Sequence, residues 1–232
     1  MSENIKKIMK AFMADLDSRE NQSIILKPST RPFNNQAHQV NEVAKKIYKL
    51  IEGTKHPNDD IILNHNEIKE AFFSPFEPQL KDAQVFLSHS HADKNKALKV
   101  KNYLESETNH RVFIDSLFWD YKDNVLNKLA KYDSTSKIKD AFVLILRESL
   151  QDMIEKCPYF VFLQSSNSVS NQGLSCTTYS AWVYEELKIA HSIRESRPTP
   201  MMESWQAFHD ISPFLENLET ITLKELSQQI NS

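Results

Sequence analysis

Apolar positions change their rhythm near residue 80. Before it they recur at helical spacing. Ile5, Ile8, Met9, Phe12, Met13 and Leu16 stand at i, i+3, i+4, i+7, i+8 and i+11, one stripe of a helix. Pro28 and Pro32 then break the chain. A second helix is predicted over about 35–51 on Val43, Ile47, Leu50 and Ile51, and a short third over 66–73. Residues 1–80 therefore read as a small all-helical N-terminal module, for assembly or sensing. Its boundary falls in Ser74-Pro75-Phe76-Glu77-Pro78, because closely spaced prolines stop a helix and favour extended chain.

After the boundary, short apolar runs alternate with helical stretches. Residues 83–88 read as a buried strand and 93–107 as a helix with Asp93 at its N-cap. A second strand covers 111–115, followed by an aromatic loop with Phe118, Trp119 and Tyr121. Helical pattern fills 124–131 and 136–155, and a third strand covers 159–163. Residues 164–178 form a Ser/Asn-rich loop, 180–193 a helix, and 218–222 a last strand before a short helix. Strands alternating with helices imply a parallel sheet covered on both faces, an α/β domain over 81–232. Such sheets bind ligands beyond the carboxyl ends of their strands. Those ends lie here at Ser88, Asp115 and Gln164.

Composition narrows the chemistry. The 232 residues carry a net charge of −3 and no Lys/Arg block, which argues against a nucleic-acid partner. Residues 1–80 hold 11 basic and 11 acidic side chains, so charge assigns that block no partner. The chain starts without an apolar signal segment, and its apolar runs are too short for a membrane span. It is expected to be soluble and cytoplasmic. Cys157 and Cys176 are the only cysteines, too few for a disulfide framework or a Cys-based zinc site. Gly53 and Gly173 are the only glycines, so neither a GxGxxG turn nor a glycine-rich phosphate loop exists.

The stretch Val85-Phe86-Leu87-Ser88-His89-Ser90-His91-Ala92-Asp93 poses the main chemical question. HxHxD after a strand opens the metal motif of metallo-β-lactamase-like hydrolases, which need several ligands to hold an ion and activate water. Here the next residue is Lys94, and the other histidines do not rebuild a second cluster. No metal or other cofactor is therefore expected, and the hydrolase remains a second alternative.

The same residues resemble the start of a Toll/interleukin-1 receptor (TIR) domain. Phe86-Leu87-Ser88-His89 is similar to that family's first strand, and Val112-Phe113-Ile114-Asp115 to its second. Trp182 and Glu186, within Ser180-Ala181-Trp182-Val183-Tyr184-Glu185-Glu186-Leu187, match its helix with a tryptophan four residues before a glutamate. Trp119 stands where bacterial anti-phage members often place a tryptophan. The resemblance covers about 82–232 and implies a flavodoxin-like parallel sheet with helices on both faces. It departs from the family in three places. The basic residues that often follow the first strand are here Ser90 and His91. Residues 132–158 are long for a family helix, and the fourth strand, expected between Glu195 and His209, is not evident.

Some TIR domains are scaffolds, and others cleave NAD+ between nicotinamide and ribose. The resemblance therefore implies an NAD+ nucleosidase, hydrolase or cyclase in outcome, acting in anti-phage defence. Its alternative is a non-catalytic adaptor that only binds other TIR domains. The cleavage has a simple physical account. Nicotinamide leaves as a neutral molecule, and positive charge grows on the ribose, so one carboxylate stabilises the transition state. Spacing favours Glu186. It shares a face with Trp182 and adjoins the apolar stripe Val183, Leu187 and Ala190. Glu185 lies about 100° round the helix and is expected in solvent. Ser88, His89, Ser90, Asp115, Trp119 and Trp182 are the candidate substrate contacts. Self-association through the TIR domain and the N-terminal helices is the expected partnership.

Overall fold

The computed structural model describes residues 9–27, 40–53, 65–74, 82–130, 136–172, 175–195 and 209–232. Five strands form one parallel sheet: β1 (Lys10–Asp15), β2 (Ala83–His89), β3 (Arg111–Ile114), β4 (Tyr159–Gln164) and, after three further short strands, β8 (Glu219–Thr220). Their order across the sheet is β3-β2-β4-β1-β8. One row of paired residues crosses it, Ile114–Leu87–Val161–Phe12–Glu219. The α/β class read from the sequence is thus the observed one.

The N-terminal reading is corrected. Residues 1–80 are not an all-helical module, because Lys10–Asp15 is a strand between β4 and β8. Ala11, Phe12 and Ala14 are buried and Met13 is half-buried. A strand covered on both faces presents a continuous apolar run, and such a run fits a helical period as well as a strand. Ile5 and Ile8 of the predicted stripe lie outside the described residues, as do 75–78 of the predicted boundary. Numbered from β2, the sheet reads second, first, third, then β1, then last. The second, first and third of these share neighbours with the flavodoxin-like order 2-1-3-4-5, but the N-terminal strand β1 lies inside the sheet, so the full order differs from it. The interval searched for a fourth strand lies mostly outside the described residues, and its end, β7 (His209–Asp210), pairs in a separate sheet.

The α-helices among the described residues are α1 (Arg19–Ile25), α2 (Val40–Gly53), α3 (His65–Phe73), α4 (Lys94–Glu107), α5 (Ser116–Leu129), α6 (Ser136–Lys156), α7 (Ala181–Glu195), α8 (Ser212–Leu215) and α9 (Leu223–Asn231). The described elements fall into two compact units. One holds the sheets, α1, α4, α7 to α9 and the last turns of α6. The other holds α2, α3, α5 and the rest of α6. In this second unit Phe72 meets Tyr121 edge-on at 5.1 Å, and His65 Nε2 lies 2.7 Å from Glu148 Oε2. The aromatic loop of the sequence reading is the first part of α5, and Tyr121 is buried there.

In the first unit the central strands carry the core. Phe86 stacks on Phe160 at 5.8 Å and meets Phe113 at 5.7 Å. Burying each such ring stabilises the fold by about 2–3 kcal/mol. Asn21 ties α1 to its surroundings: its Nδ2 donates to Asp15 O at 2.7 Å, and its Oδ1 accepts from Leu223 N at 2.8 Å. Thr222 and Glu225 form a capping box at the start of α9. The predicted 164–178 loop folds into β5 (Ser170–Gln172) and β6 (Ser175–Thr178), which with β7 form a small antiparallel sheet. Among the described residues, no helix is long and apolar enough to cross a membrane.

Candidate functional site

The carboxyl ends of β2 and β3 bring Ser88, His89 and Asp115 together. Leu87 pairs with Ile114, so the next residues on each strand emerge side by side. All three are buried, as is Ser90. His89 Nδ1 lies 2.7 Å from Asp115 Oδ1. Against this edge packs α7, begun by Ser180, whose Oγ accepts from Val183 N at 3.3 Å. Val183, Glu186, Leu187 and Ala190 stand at i, i+3, i+4 and i+7 and form one buried stripe. Glu186 therefore points its carboxyl into the protein, at 0% exposure.

Its surroundings set its charge. Burial raises the pKa of Glu186 well above the ordinary 4.5, and the nearby Asp115 carboxyl raises it further, while the Ser88 hydroxyl works the other way. Among the described residues, neither Glu186 oxygen meets full hydrogen-bond geometry, nor does Ser88 Oγ. The four residues form a closed polar cluster of an acid pair, an imidazole and a hydroxyl. With Glu186 wholly covered, nothing the size of a ribose touches its carboxyl in this arrangement. A cleft of about 890 Å³ lies elsewhere, among residues of α1, α4 and α9 such as Glu20, Tyr103, Glu107 and Lys224, and it holds none of the candidate residues.

No known protein family, curated protein or solved structure matches the chain.

The HxHxD residues diverge. His89 faces Asp115, His91 is exposed, and Asp93 is buried and turned the other way. Asp93 sits at the start of α4 but makes no capping bond, contrary to the expectation. Its carboxylate instead accepts from Ser165 Oγ, and from Asn167 Nδ2 at 2.9 Å. Lys96 Nζ lies 3.7 Å from Asp93 and 3.0 Å from Asp17, and Asp17 accepts from Ser166 N at 2.9 Å. Asp93 and Asp17 thus stitch the ends of β2 and β1 to the turn after β4. Sequence reasoning missed this network. Its signal was the polar run Gln164-Ser165-Ser166-Asn167-Ser168 directly after an apolar strand.

Two further expectations change. Glu185, expected in solvent, is 3% exposed. With Ile189 and Ser192 it forms a second buried stripe, because α7 is covered by β6 and α8 as well as by β2. Phe214 of α8 reaches Tyr184 at 5.6 Å and His191 at 5.4 Å. Trp182 is half-buried, one turn before Glu186. Trp119 belongs to α5 rather than a loop, and its side chain lies outside the described residues.

Proposed function

We propose that this chain is a TIR-like enzyme that cleaves NAD+ at the nicotinamide–ribose bond, with Glu186 as the catalytic carboxylate. The observation that carries the reading is the burial of Glu186 on α7 beside Ser88 and Asp115, at the carboxyl ends of two adjacent parallel strands. Ligands of open α/β sheets bind at such edges. The parallel neighbourhood β3-β2-β4 supports it, as does the Trp182–Glu186 spacing. In the reaction the nicotinamide leaves neutral. The Glu186 carboxylate, ionised, faces the growing charge on the ribose, and water or a hydroxyl of the substrate takes the place of nicotinamide. Ser88 and Trp182 contribute substrate contacts. NAD+ is substrate, and no cofactor enters. Self-association opens the covered site, and anti-phage signalling in the cytoplasm is the role that the family resemblance suggests.

A second reading is favoured by one observation. Glu186 at 0% exposure suits a non-catalytic TIR-like interaction module, which needs no access to the carboxylate. Nicotinamide release from NAD+ by full-length protein, over a concentration series, separates the two. Release that rises with concentration and is lost in Glu186→Gln supports the enzyme. Release that is equal in both proteins, or absent throughout a series in which light scattering shows assembly, overturns it in favour of the module.

A further inference from the structure

The two edges of the five-stranded sheet differ as templates for a further strand. An edge strand carries unpaired backbone groups that another chain can take up. At one edge β8 is only Glu219–Thr220, two exposed residues, too short to hold a partner. At the other edge β3 carries Val112-Phe113-Ile114, an apolar run rich in strand-forming residues.

The outward side of β3 is already occupied. Along a strand the N–H and C=O of one residue point to one side, and successive residues alternate. Val112 N donates to Glu105 Oε1 at 3.1 Å, so Val112 faces away from β2. Its carbonyl, on that same side, accepts from Lys101 Nζ at 2.5 Å. Lys101 also donates to Glu105 Oε1 at 2.5 Å, one turn along α4. The two side chains are 20% and 13% exposed, so water competes little for these bonds. Two residues before Val112, His110 N donates to Thr108 Oγ1 at 3.2 Å.

We propose that Lys101 and Glu105 guard the β3 edge and keep a second copy of this chain from adding its own strand there. The pair offers one donor and one acceptor where a neighbouring strand would offer the same, so the edge is already paired. Self-association, which the NAD-cleaving reading calls upon, is thereby directed to other faces. The guard itself does not depend on that reading.

The test uses full-length protein and light scattering over a concentration series. Lys101→Met with Glu105→Met keeps the apolar stems over β3 and removes both polar heads. With circular dichroism native, the concentration of half-assembly should fall about ten-fold or more below that of the wild type. Adding Val112→Pro removes the freed donor at an outward edge position that tolerates proline, and should return half-assembly to the wild-type concentration. A folded double variant that scatters like the wild type overturns the proposal. So does assembly that Val112→Pro leaves unchanged, since it then runs through another face. If the double variant does not fold, Lys101→Met alone frees the carbonyl and is read by the same outcomes. If the proline variant does not fold, hydrogen exchange at the Val112 amide of the double variant decides. Protection that grows with protein concentration supports strand addition at β3, and protection independent of concentration overturns it.

Discussion

Asp93 and Glu186 are both buried acids at the same edge of the sheet, with 1% and 0% exposure, and they keep different company. Asp93 has two donors, Ser165 and Asn167, with the Lys96 ammonium nearby. Its charge is met where it lies, and it joins strand ends. Glu186 has a second acid, a hydroxyl and an apolar helix face. Its charge is unwelcome until something changes. A protein keeps such an acid at a cost to its stability, so Glu186 is the better functional candidate although both are equally hidden. Burial alone does not separate the two acids, whereas the nature of their neighbours does.

The largest expected effect lies on the Glu186 side. Glu186→Gln keeps shape and removes charge, so nicotinamide release should fall by roughly 100-fold or more while circular dichroism stays native. Glu185→Gln serves as the control, since Glu185 is equally buried on the neighbouring stripe, and its release should fall far less. Equal losses in the two variants would sink the distinction between the stripes of α7. On the other side of the comparison, Asp93→Ala strands the donors of Ser165 and Asn167. Chemical denaturation should show a loss of about 2–3 kcal/mol, with release per folded molecule little changed. A native denaturation midpoint would mean that the strand ends hold without Asp93.

Much of this was legible in the sequence. The pair Phe86-Leu87-Ser88-His89 and Val112-Phe113-Ile114-Asp115 placed three of the four cluster residues at strand ends, and helical spacing placed Glu186 on a buried face. Two things were hidden. The pairing of His89 with Asp115 depends on β2 and β3 being neighbours in register, a long-range fact that no local pattern carries. β1 was hidden because Lys-Ala-Phe-Met-Ala-Asp is short and apolar throughout its middle, where strand and helix periods coincide. A chain cut at residue 81 would lack the strand between β4 and β8, so the apparent domain boundary would divide a sheet.

The pH dependence of stability sharpens the contrast next. Glu186 has a folded-state pKa raised above 4.5. The folded protein therefore binds a proton that the unfolded chain gives up, and stability is lost as pH rises from about 4.5 through the folded pKa. The slope approaches about 1.4 kcal/mol per pH unit. Glu186→Gln has no proton to lose. Its denaturation midpoint should exceed that of the wild type by a margin that widens over this window. Parallel pH curves for the two proteins would show that Glu186 is ionised in both states, and the acid pair would lose its meaning.

The smallest effect is expected at Lys96, where the Asp93 network reaches solvent. Its side chain is 33% exposed and that of Asp17 is 41% exposed, so water screens the 3.0 Å contact between them. Lys96→Met should cost only about 0.5 kcal/mol or less, and salt should shrink the difference further. The direction with pH is opposite to that of Glu186. The backbone N–H of Ser166 and the Lys96 ammonium lower the pKa of Asp17 from the usual 3.8. This contribution is therefore present above about 3.8 and is lost as pH falls through the folded value. Lys96→Met should differ from wild type near neutrality and converge with it in acid. A cost of several kcal/mol at Lys96 would instead mean that Asp93 depends on that ammonium for its charge. Asp93 would then stand closer to Glu186 than the two donors from Ser165 and Asn167 suggest.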